Sequence, residues 1–431
     1  MSDASTFDPT DPKWLVEAVA AQQRGNLSLA ESLCRMRIHF GAGDGATWNC
    51  LGRIAMQAGR ADVATRFFQT ALEVEPGFRP ARLALQAVQG KPRPAPRVPE
   101  GEGYLLIRGW GQGFWADVDH VLGQLLVAQY AGRTPVVYWG GESLFNDHPE
   151  RDAWAEFFEP VSAARIETLE APGSDCFPKE WASGTLREIR HALMQHPDRR
   201  MGAVEVMGRR ERVCVSTLYV GVETILDWAP EGHWSRGLSF TQASRRLMGE
   251  SIRPRADILE RVEAFVRERF APGRMLGLHI RGSDKIIETK NLEHEIVELS
   301  GQAQACLRAD PGLRLFLLTD WSPAVSHLRE QFGDRVIVTP ARRTESMLAV
   351  HYDTNPSRQA IGEEVLIDAL LGARCDAFLG VASSNVSCAV EQLKDWAPGT
   401  CRLMGERKNS KPNPYILIAP ARVDPGGLRL S

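Results

Sequence analysis

Apolar and polar positions along the chain fall into distinct regimes. From Trp14 to about Gln89 they recur with a helical period, and Trp14 and Trp48, Gly25 and Gly59, Ala30 and Ala64 each stand 34 residues apart. An internal period of that length predicts stacked helical hairpins, with residues 80 to 89 as a closing helix. Lys91 to Gly103 has no apolar period and four prolines, which predicts a stiff, extended linker. After it, Tyr104 to Arg108 reads as a strand, Gly109-Trp-Gly-Gln-Gly-Phe-Trp115 as a glycine loop, Asp117 to Gly132 as an amphipathic helix and Pro135 to Trp139 as a second strand. Residues 145 to 250 are less legible, with a helical piece at Asp152 to Phe158 and a strand at Arg212 to Ser216. From Arg274 the alternation is regular. Strands at 275–280, 314–319, 335–339, 376–381 and 400–404 alternate with helices at about 294–308, 323–332, 363–374 and 386–395, the pattern of a doubly wound parallel sheet. The expected division is a disordered start over 1–12, helical repeats over 13–90, a linker over 91–103, an acceptor-side α/β domain over 104–270, a nucleotide-binding α/β domain over 271–410 and a tail over 411–431. The Pro-rich tail is expected to pack back across the domains.

Composition narrows the function classes. The chain has 431 residues, 43% apolar and 24% charged, with a formal net charge of −3, as in ordinary globular proteins of about three domains. That charge gives no general field for nucleic acid or anionic lipid, so neither is an expected partner. The acidic, polar start lacks a signal-peptide pattern and no 18-residue apolar span follows, so no membrane span and a cytoplasmic location are expected. Eight cysteines are scattered without a CxxC pair, which argues against a zinc site or a disulfide framework.

The chemistry gathers at predicted strand ends. In Gly277-Leu-His-Ile-Arg-Gly-Ser-Asp-Lys-Ile-Ile-Glu288 an apolar strand stops in two cations, two acids and a glycine turn. The carboxyl ends of strands in an open α/β sheet form the ligand crevice, and a guanidinium there can hold two phosphate oxygens. Thr319-Asp320 and Ser383-Ser384-Asn385 end two further strands on the same edge. The serine pair opens a helix at Val386, where hydroxyls and backbone N–H groups suit a phosphate or serve as an ordinary N-cap. Asp368 interrupts an apolar helix face and is either a salt-bridge partner or an acceptor for the N1–H and N2–H of a guanine. Gly111, Gly113, Phe114 and Trp115 make a candidate acceptor-side loop, whose rings stack on a sugar or seal the interdomain core. A nicotinamide reading of the glycines is rejected, because Gly140-Gly-Glu-Ser rather than an acid ends the second strand. Asp117-Val-Asp119 is nominally a metal-binding DxD but lies at a predicted helix start, where acids favour the macrodipole. Glu293-His294-Glu295 lacks the helical HExxH spacing, so no metal site is expected.

Two resemblances follow from these residues. Trp48-x-x-Leu51-Gly52, Gly59, Ala64, Phe68, Ala71 and Pro76 resemble the tetratricopeptide repeat, of which the first copy is a degenerate or terminal version. His279-Ile-Arg281-Gly-Ser-Asp284-Lys285, then Asp320, Leu366-Ile-Asp368-Ala-Leu-Leu, Cys375-Asp376 and Ser383-Ser384-Asn385 resemble, in order and approximate spacing, the α1,6-fucosyltransferases and more distantly the protein O-fucosyltransferases. Two βα domains in series, with a cleft between them, suggest a GT-B-like pair of Rossmann-type domains, preceded by the all-α repeat segment. The resemblance implies inverting transfer of L-fucose from GDP-fucose to a glycan or protein hydroxyl, without metal or other cofactor, whereas the repeats, which it does not cover, either recruit a protein partner or acceptor or serve a structural or dimerising role. Arg281 would hold the β-phosphate; Ser383, Ser384 and Asn385 the diphosphate; His279 and Asp368 the guanine or ribose; Asp284 and Lys285 the loop and sugar; and Glu288 the acceptor proton. Two departures stand out. Gly282 replaces a second arginine, and Glu288 lies one residue closer to the lysine than in the vertebrate-type pattern. Two alternatives stay open: a transferase using another nucleotide sugar, and an inactive scaffold built around the repeats.

Overall fold

The computed structural model of the chain describes residues 8, 10–88, 102–181, 183–188, 202–216, 218–270, 273–282, 292–345 and 357–405. Asp284, Lys285 and Glu288, most of the expected linker and the expected tail lie outside them, and the side chains of Glu293 and Glu295 are likewise not described.

Five helices come first: α1 (Lys13–Gln23), α2 (Leu27–His39), α3 (Gly45–Gln57), α4 (Ala61–Val74) and α5 (Arg79–Val88). Side-chain oxygens set two of the starts. Asn26 accepts from Leu29 N–H at 3.2 Å and Asp44 from Thr47 N–H at 2.8 Å, each satisfying a first-turn donor. Helices α3 and α4 pack so closely that a Cβ on Gly52 would lie 2.2 Å from the Phe68 ring. Glycine at that position is therefore a packing requirement.

These helices sit on the next unit. Glu205 of helix α7 (Ala203–Gly208) accepts the Ser28 N–H at 2.6 Å and the Ser28 hydroxyl at the start of α2. Arg60 and Arg66 donate to the carbonyls of Trp228, Asp227 and Ala229, while the Trp228 indole donates to Glu31 at 2.9 Å and meets Phe67 edge-on. One apolar core consequently runs from the helices into the first sheet and on to one face of the second.

The first sheet has the order β2-β1-β4-β3, all parallel, from β1 (Tyr104–Arg108), β2 (Thr134–Tyr138), β3 (Cys176–Phe177) and β4 (Val213–Val215). Helix α6 (Phe114–Ala131) crosses between β1 and β2 and ends at Gly132, whose φ of 65° is the left-handed stop that glycine allows. The helix begins three residues before the sequence expectation, with Gly113 extended ahead of it. The piece predicted at 152–158 shrinks to one turn, Trp154–Phe157, because Phe158 is taken into a bridge with Pro254.

The second sheet has the order β7-β6-β5-β8-β9, again parallel, from β5 (Met275–Ile280), β6 (Arg314–Thr319), β7 (Val336–Ile337), β8 (Ala377–Val381) and β9 (Cys401–Met404). Alternate residues of β5 and β6 feed the two faces: Phe316 and Leu318 join the large core, and Leu276, Leu278, Leu315 and Leu317 a second core. Burial on both faces explains why these strands read as unbroken apolar runs. Strand β7 stops two residues short of the expected end, since Thr339 turns to bond Asp368 and Pro340 follows. Helix α8 (Phe240–Ser251) belongs to the first unit, and α9 (Leu292–Ala309), α10 (Ser322–Phe332), α11 (Arg358–Gly372) and α12 (Asn385–Gln392) to the second. The units are tightly joined. Asp147 of the first caps α11 of the second by accepting from Ser357, Arg358 and Gln359, and a Cβ on Gly362 would lie 2.6 Å from Phe157. Among the described residues no helix is long and apolar enough to cross a membrane.

Candidate active site at the carboxyl edge of the second sheet

Strand order places the site. From β5 the chain moves to β6 and β7 on one side, then returns through β8 to the other, so the gap between β5 and β8 is a topological switch point. Ligands in open parallel sheets bind outside the carboxyl ends at such points. His279 and Arg281 mark the end of β5, and Ser383, Ser384 and Asn385 lead from β8 into α12.

His279 is buried in the last turn of strand. Its Nδ1 lies 2.7 Å from Ser387 Oγ, which also accepts the Val381 N–H at 3.2 Å. The Ser387 hydroxyl is assigned as the donor to Nδ1, which places the histidine proton on Nε2. Gly380 makes room for this bridge, because a Cβ there would fall 2.5 Å from Ser387 Oγ. Burial lowers the His279 pKa to about 4, with Asp320 opposing and Arg281 reinforcing the shift. The ring is neutral near pH 7 and offers one N–H donor.

Arg281 follows, partly exposed, and Gly282 after it is buried. The Gly282 N–H faces Asp320 at 3.4 Å, and a Cβ on Gly282 would lie 2.6 Å from the Trp321 ring. The departure from the second arginine thus has a local cause: the indole occupies the space a side chain would need. At the neighbouring strand end, Ser384 caps α12 by position, but its hydroxyl makes no cap bond and is buried without a hydrogen-bond partner among the described residues. Asn385 and Cys388 face Trp115, Asp119 and Glu223 of the first unit across a cavity of about 20 Å³, room for about one water.

Asp368 projects from α11 toward the end of β7. Thr339 Oγ1 donates to its Oδ1 at 2.7 Å, and burial pushes the carboxyl up to about 6 while Thr339 and the Arg343 charge pull it down. The structure thus brings His279 and Arg281 beside Ser384 and Asn385, with Asp368 on the β7 side. Three contributors escaped the sequence reading. Ser387 stands one helical turn beyond Ser383 in α12, whereas Thr339 and Arg343 flank the Pro340-Ala-Arg-Arg343 turn. Two arginines just after a predicted strand were the available signal.

The glycine loop of the first unit is a different kind of place. Asp117 accepts the N–H groups of Trp110, Gly111 and Gln112 at 3.1 to 3.2 Å, so its carboxylate shapes the loop. Asp119 accepts the Tyr219 hydroxyl at 2.6 Å. Both acids of the DxD are engaged in the fold, and among the described residues no three His, Cys, Asp or Glu side chains cluster as metal ligands. Gly111 has φ of 75° and backs onto the Glu142 carbonyl. Phe114 and Trp115 require a correction as sugar-stacking candidates: they are 2% and 3% exposed. Phe114 packs against Trp139, Phe145 and Phe157, and the Trp115 indole donates to the Val365 carbonyl of α11. The rings seal the junction between the units, because that much apolar area gains more from burial than from solvent.

Fold and site together define a chain of two parallel α/β units with a cationic strand end at the switch point of the second. In sequence it is similar to nodulation protein Z of Bradyrhizobium diazoefficiens, at 25% identity over 278 residues, covering 58% of this chain and 68% of that protein. Nodulation protein Z of Sinorhizobium fredii is 23% identical over 269 residues, 58% of this chain and 78% of that protein. A crystal structure of NodZ alpha-1,6-fucosyltransferase soaked with GDP-fucose aligns over 68% of this chain and 92% of its own, with TM-score 0.44 and 22% identity. No protein-family model matches the chain.

Proposed function

We propose that the chain is a glycosyltransferase that moves L-fucose from GDP-fucose to a hydroxyl of a glycan or protein, with inversion at the sugar carbon. One observation carries the reading: Arg281 ends the central strand at the switch point, across from the open start of α12 with its unused Ser384 hydroxyl. The sequence match to nodulation protein Z supports it, as does the ordered set of motifs from His279 to Asn385.

In this reading an acceptor oxygen attacks the anomeric carbon as the bond to the β-phosphate oxygen breaks. The electron pair leaves with the nucleoside diphosphate. Arg281 and the first-turn N–H groups of α12 meet that growing charge, and preorganised donors stabilise it more in the transition state than before. The acceptor proton passes to a carboxylate, the role assigned to Glu288, while Asp284 and Lys285 order the loop and sugar. Charge neutralisation by these groups makes the reaction metal-independent. The five N-terminal helices are read as tetratricopeptide-like repeats, with the Gly52 to Phe68 contact in support, and they present acceptor proteins to the enzyme.

The test is a calorimetric titration of GDP-fucose, GDP-mannose, GDP and UDP-sugars in EDTA, with wild type and Arg281→Ala. Selective guanine-nucleotide binding, weakened in the variant, is expected, and in a parallel transfer assay the variant should lose about two to three decades of rate. Binding of UDP-sugars instead keeps a transferase and removes fucose. Failure to bind any nucleotide removes the enzyme reading.

A further inference from the structure

A ligand-sized hollow lies on the first unit, away from the crevice of the second sheet. It encloses about 560 Å³ and is bordered by Glu159, Pro160, Ser162, Ala163, Arg165 and Arg253. Volumes of that order hold small molecules. Ser162 anchors it to the amino end of β2, where its hydroxyl donates to the Pro135 carbonyl at 2.7 Å. Both arginines are exposed. Other arginines of the first unit pair with acids, Arg187 with Glu167 and Glu170 and Arg255 with Asp257. Arg165 instead donates Nη1 to the carbonyls of Ser162 at 2.8 Å and Ala164 at 3.2 Å, and the Arg253 guanidinium has no hydrogen bond or ion pair among the described residues. Glu159 borders the same hollow and pairs with neither.

Backbone bonds hold the frame. Glu159 N–H donates to the Arg253 carbonyl at 2.8 Å and Arg255 N–H to the Phe157 carbonyl at 3.0 Å, on either side of the bridge between Phe158 and Pro254. The Trp154 indole donates to the Glu159 carbonyl at 3.3 Å, and Ala164 N–H to Ser162 Oγ at 3.2 Å. The backbones that carry Glu159, Arg165 and Arg253 are thereby fixed on one rim before any ligand arrives. Such preorganisation lowers the cost of binding.

The lining selects a ligand class. Two guanidinium groups attract an anion, and each can hold two of its oxygens. A bare anion is repelled by Glu159, whereas a sugar hydroxyl can donate to that carboxylate. Pro160 and Ala163 offer an apolar patch to the C–H face of a pyranose ring. We propose that this hollow binds an anionic pyranose, with its carboxylate or phosphate on Arg165 and Arg253 and its hydroxyls on Glu159. The site is separate from the crevice of the second sheet and does not depend on the donor reading above.

The experiment titrates glucuronate, glucose 6-phosphate, glucose and inorganic sulfate onto the full-length protein by calorimetry, as wild type, Arg165→Gln, Arg253→Gln and Glu159→Ala, with GDP alongside. The three side chains are exposed, so these variants keep the core. Wild type is expected to bind at least one sugar acid about tenfold more tightly than either glucose or sulfate. Whichever acid binds more tightly identifies the charged group, and either order upholds the site. Each arginine variant should weaken that sugar acid by about fivefold, the upper range for an exposed charge pair. Glu159→Ala should weaken the sugar acid and strengthen sulfate, and movement of both in one direction would overturn the role of the carboxylate. Sulfate binding as tightly as the sugar acids would mean an adventitious ion only. Sugar acids no tighter than glucose would mean two solvated arginines, and either result overturns the proposal. GDP affinity should be the same in every variant, and a loss in the arginine variants would overturn the separation from the second-sheet crevice.

Discussion

Replacing Ser387 with alanine tests the bridge that holds the end of β5 against α12. The hydroxyl is fully buried and satisfies two groups, the Val381 N–H at 3.2 Å and His279 Nδ1 at 2.7 Å. Removing it leaves one buried donor and one buried acceptor unmet. At about 1–3 kcal/mol for each, the loss of stability should be about 2–6 kcal/mol. Urea unfolding followed by tryptophan fluorescence measures that loss, since several indoles lie in the shared core. A second readout separates positioning from bulk. In protein labelled with nitrogen-15 at histidine, the wild type should show His279 protonated at Nε2 with Nδ1 bare, and Ser387→Ala should show a mixture of tautomers. The nucleotide affinity of the variant should fall with the loss of the fixed Nε2–H donor. A variant within about 0.5 kcal/mol of wild type, with the tautomer signal unchanged, would refute the bridge. The same histidine has a pH signature of defined sign. Its folded pKa is about 4 against an ordinary 6.5, so the unfolded chain takes up the proton first as pH falls. The His279 contribution is present above about pH 6.5 and is lost towards pH 4, by about 3 kcal/mol. His279→Gln should lack that part of the acid-side loss.

Gly282→Ala should cost about 1–3 kcal/mol by forcing a methyl group into the Trp321 ring. The penalty should shrink in a Trp321→Ala background, and a neutral single variant would mean that the indole does not lie where the structure puts it. Glu205 gives the opposite pH dependence at the seam with the N-terminal helices. Burial raises it to about 7 from 4.5, against hydrogen bonds from Ser28, so its contribution is complete below about pH 4.5 and is lost as pH rises through about 7, again by about 3 kcal/mol. Glu205→Gln keeps an acceptor for the Ser28 N–H and removes the charge, so denaturation at a series of pH values should show a flatter profile; an unchanged profile would exclude Glu205 as its source.

Much of the architecture was legible in order along the chain. Strands β5 and β6 fall where their apolar runs end, because burial on both faces leaves polar residues no place inside them. The strand ends carrying His279, Arg281, Ser384 and Asn385 were found for the same reason, since a polar cluster that follows an apolar strand has to lie at the sheet edge. The 34-residue period likewise announced the helical pairs, and local chemistry set two of their starts, at Asn26 and Asp44.

What sequence could not supply was the meeting of residues far apart along it. Whether Phe114 and Trp115 face a sugar or a core depends on α11, some 250 positions away, whose Gly362 and Val365 come up against them. The reason for Gly282 lies in the Trp321 indole, just beyond the end of the neighbouring strand β6. Thr339, Arg343 and Asp368 form one group only because the end of β7 and the side of α11 converge, and Ser387 reaches His279 only because α12 starts beside β5. Periodicity decides which face of an element is buried, a local property of alternating side chains. Which polar groups then share a buried edge is decided by strand order and helix docking, and for that the tertiary structure was required.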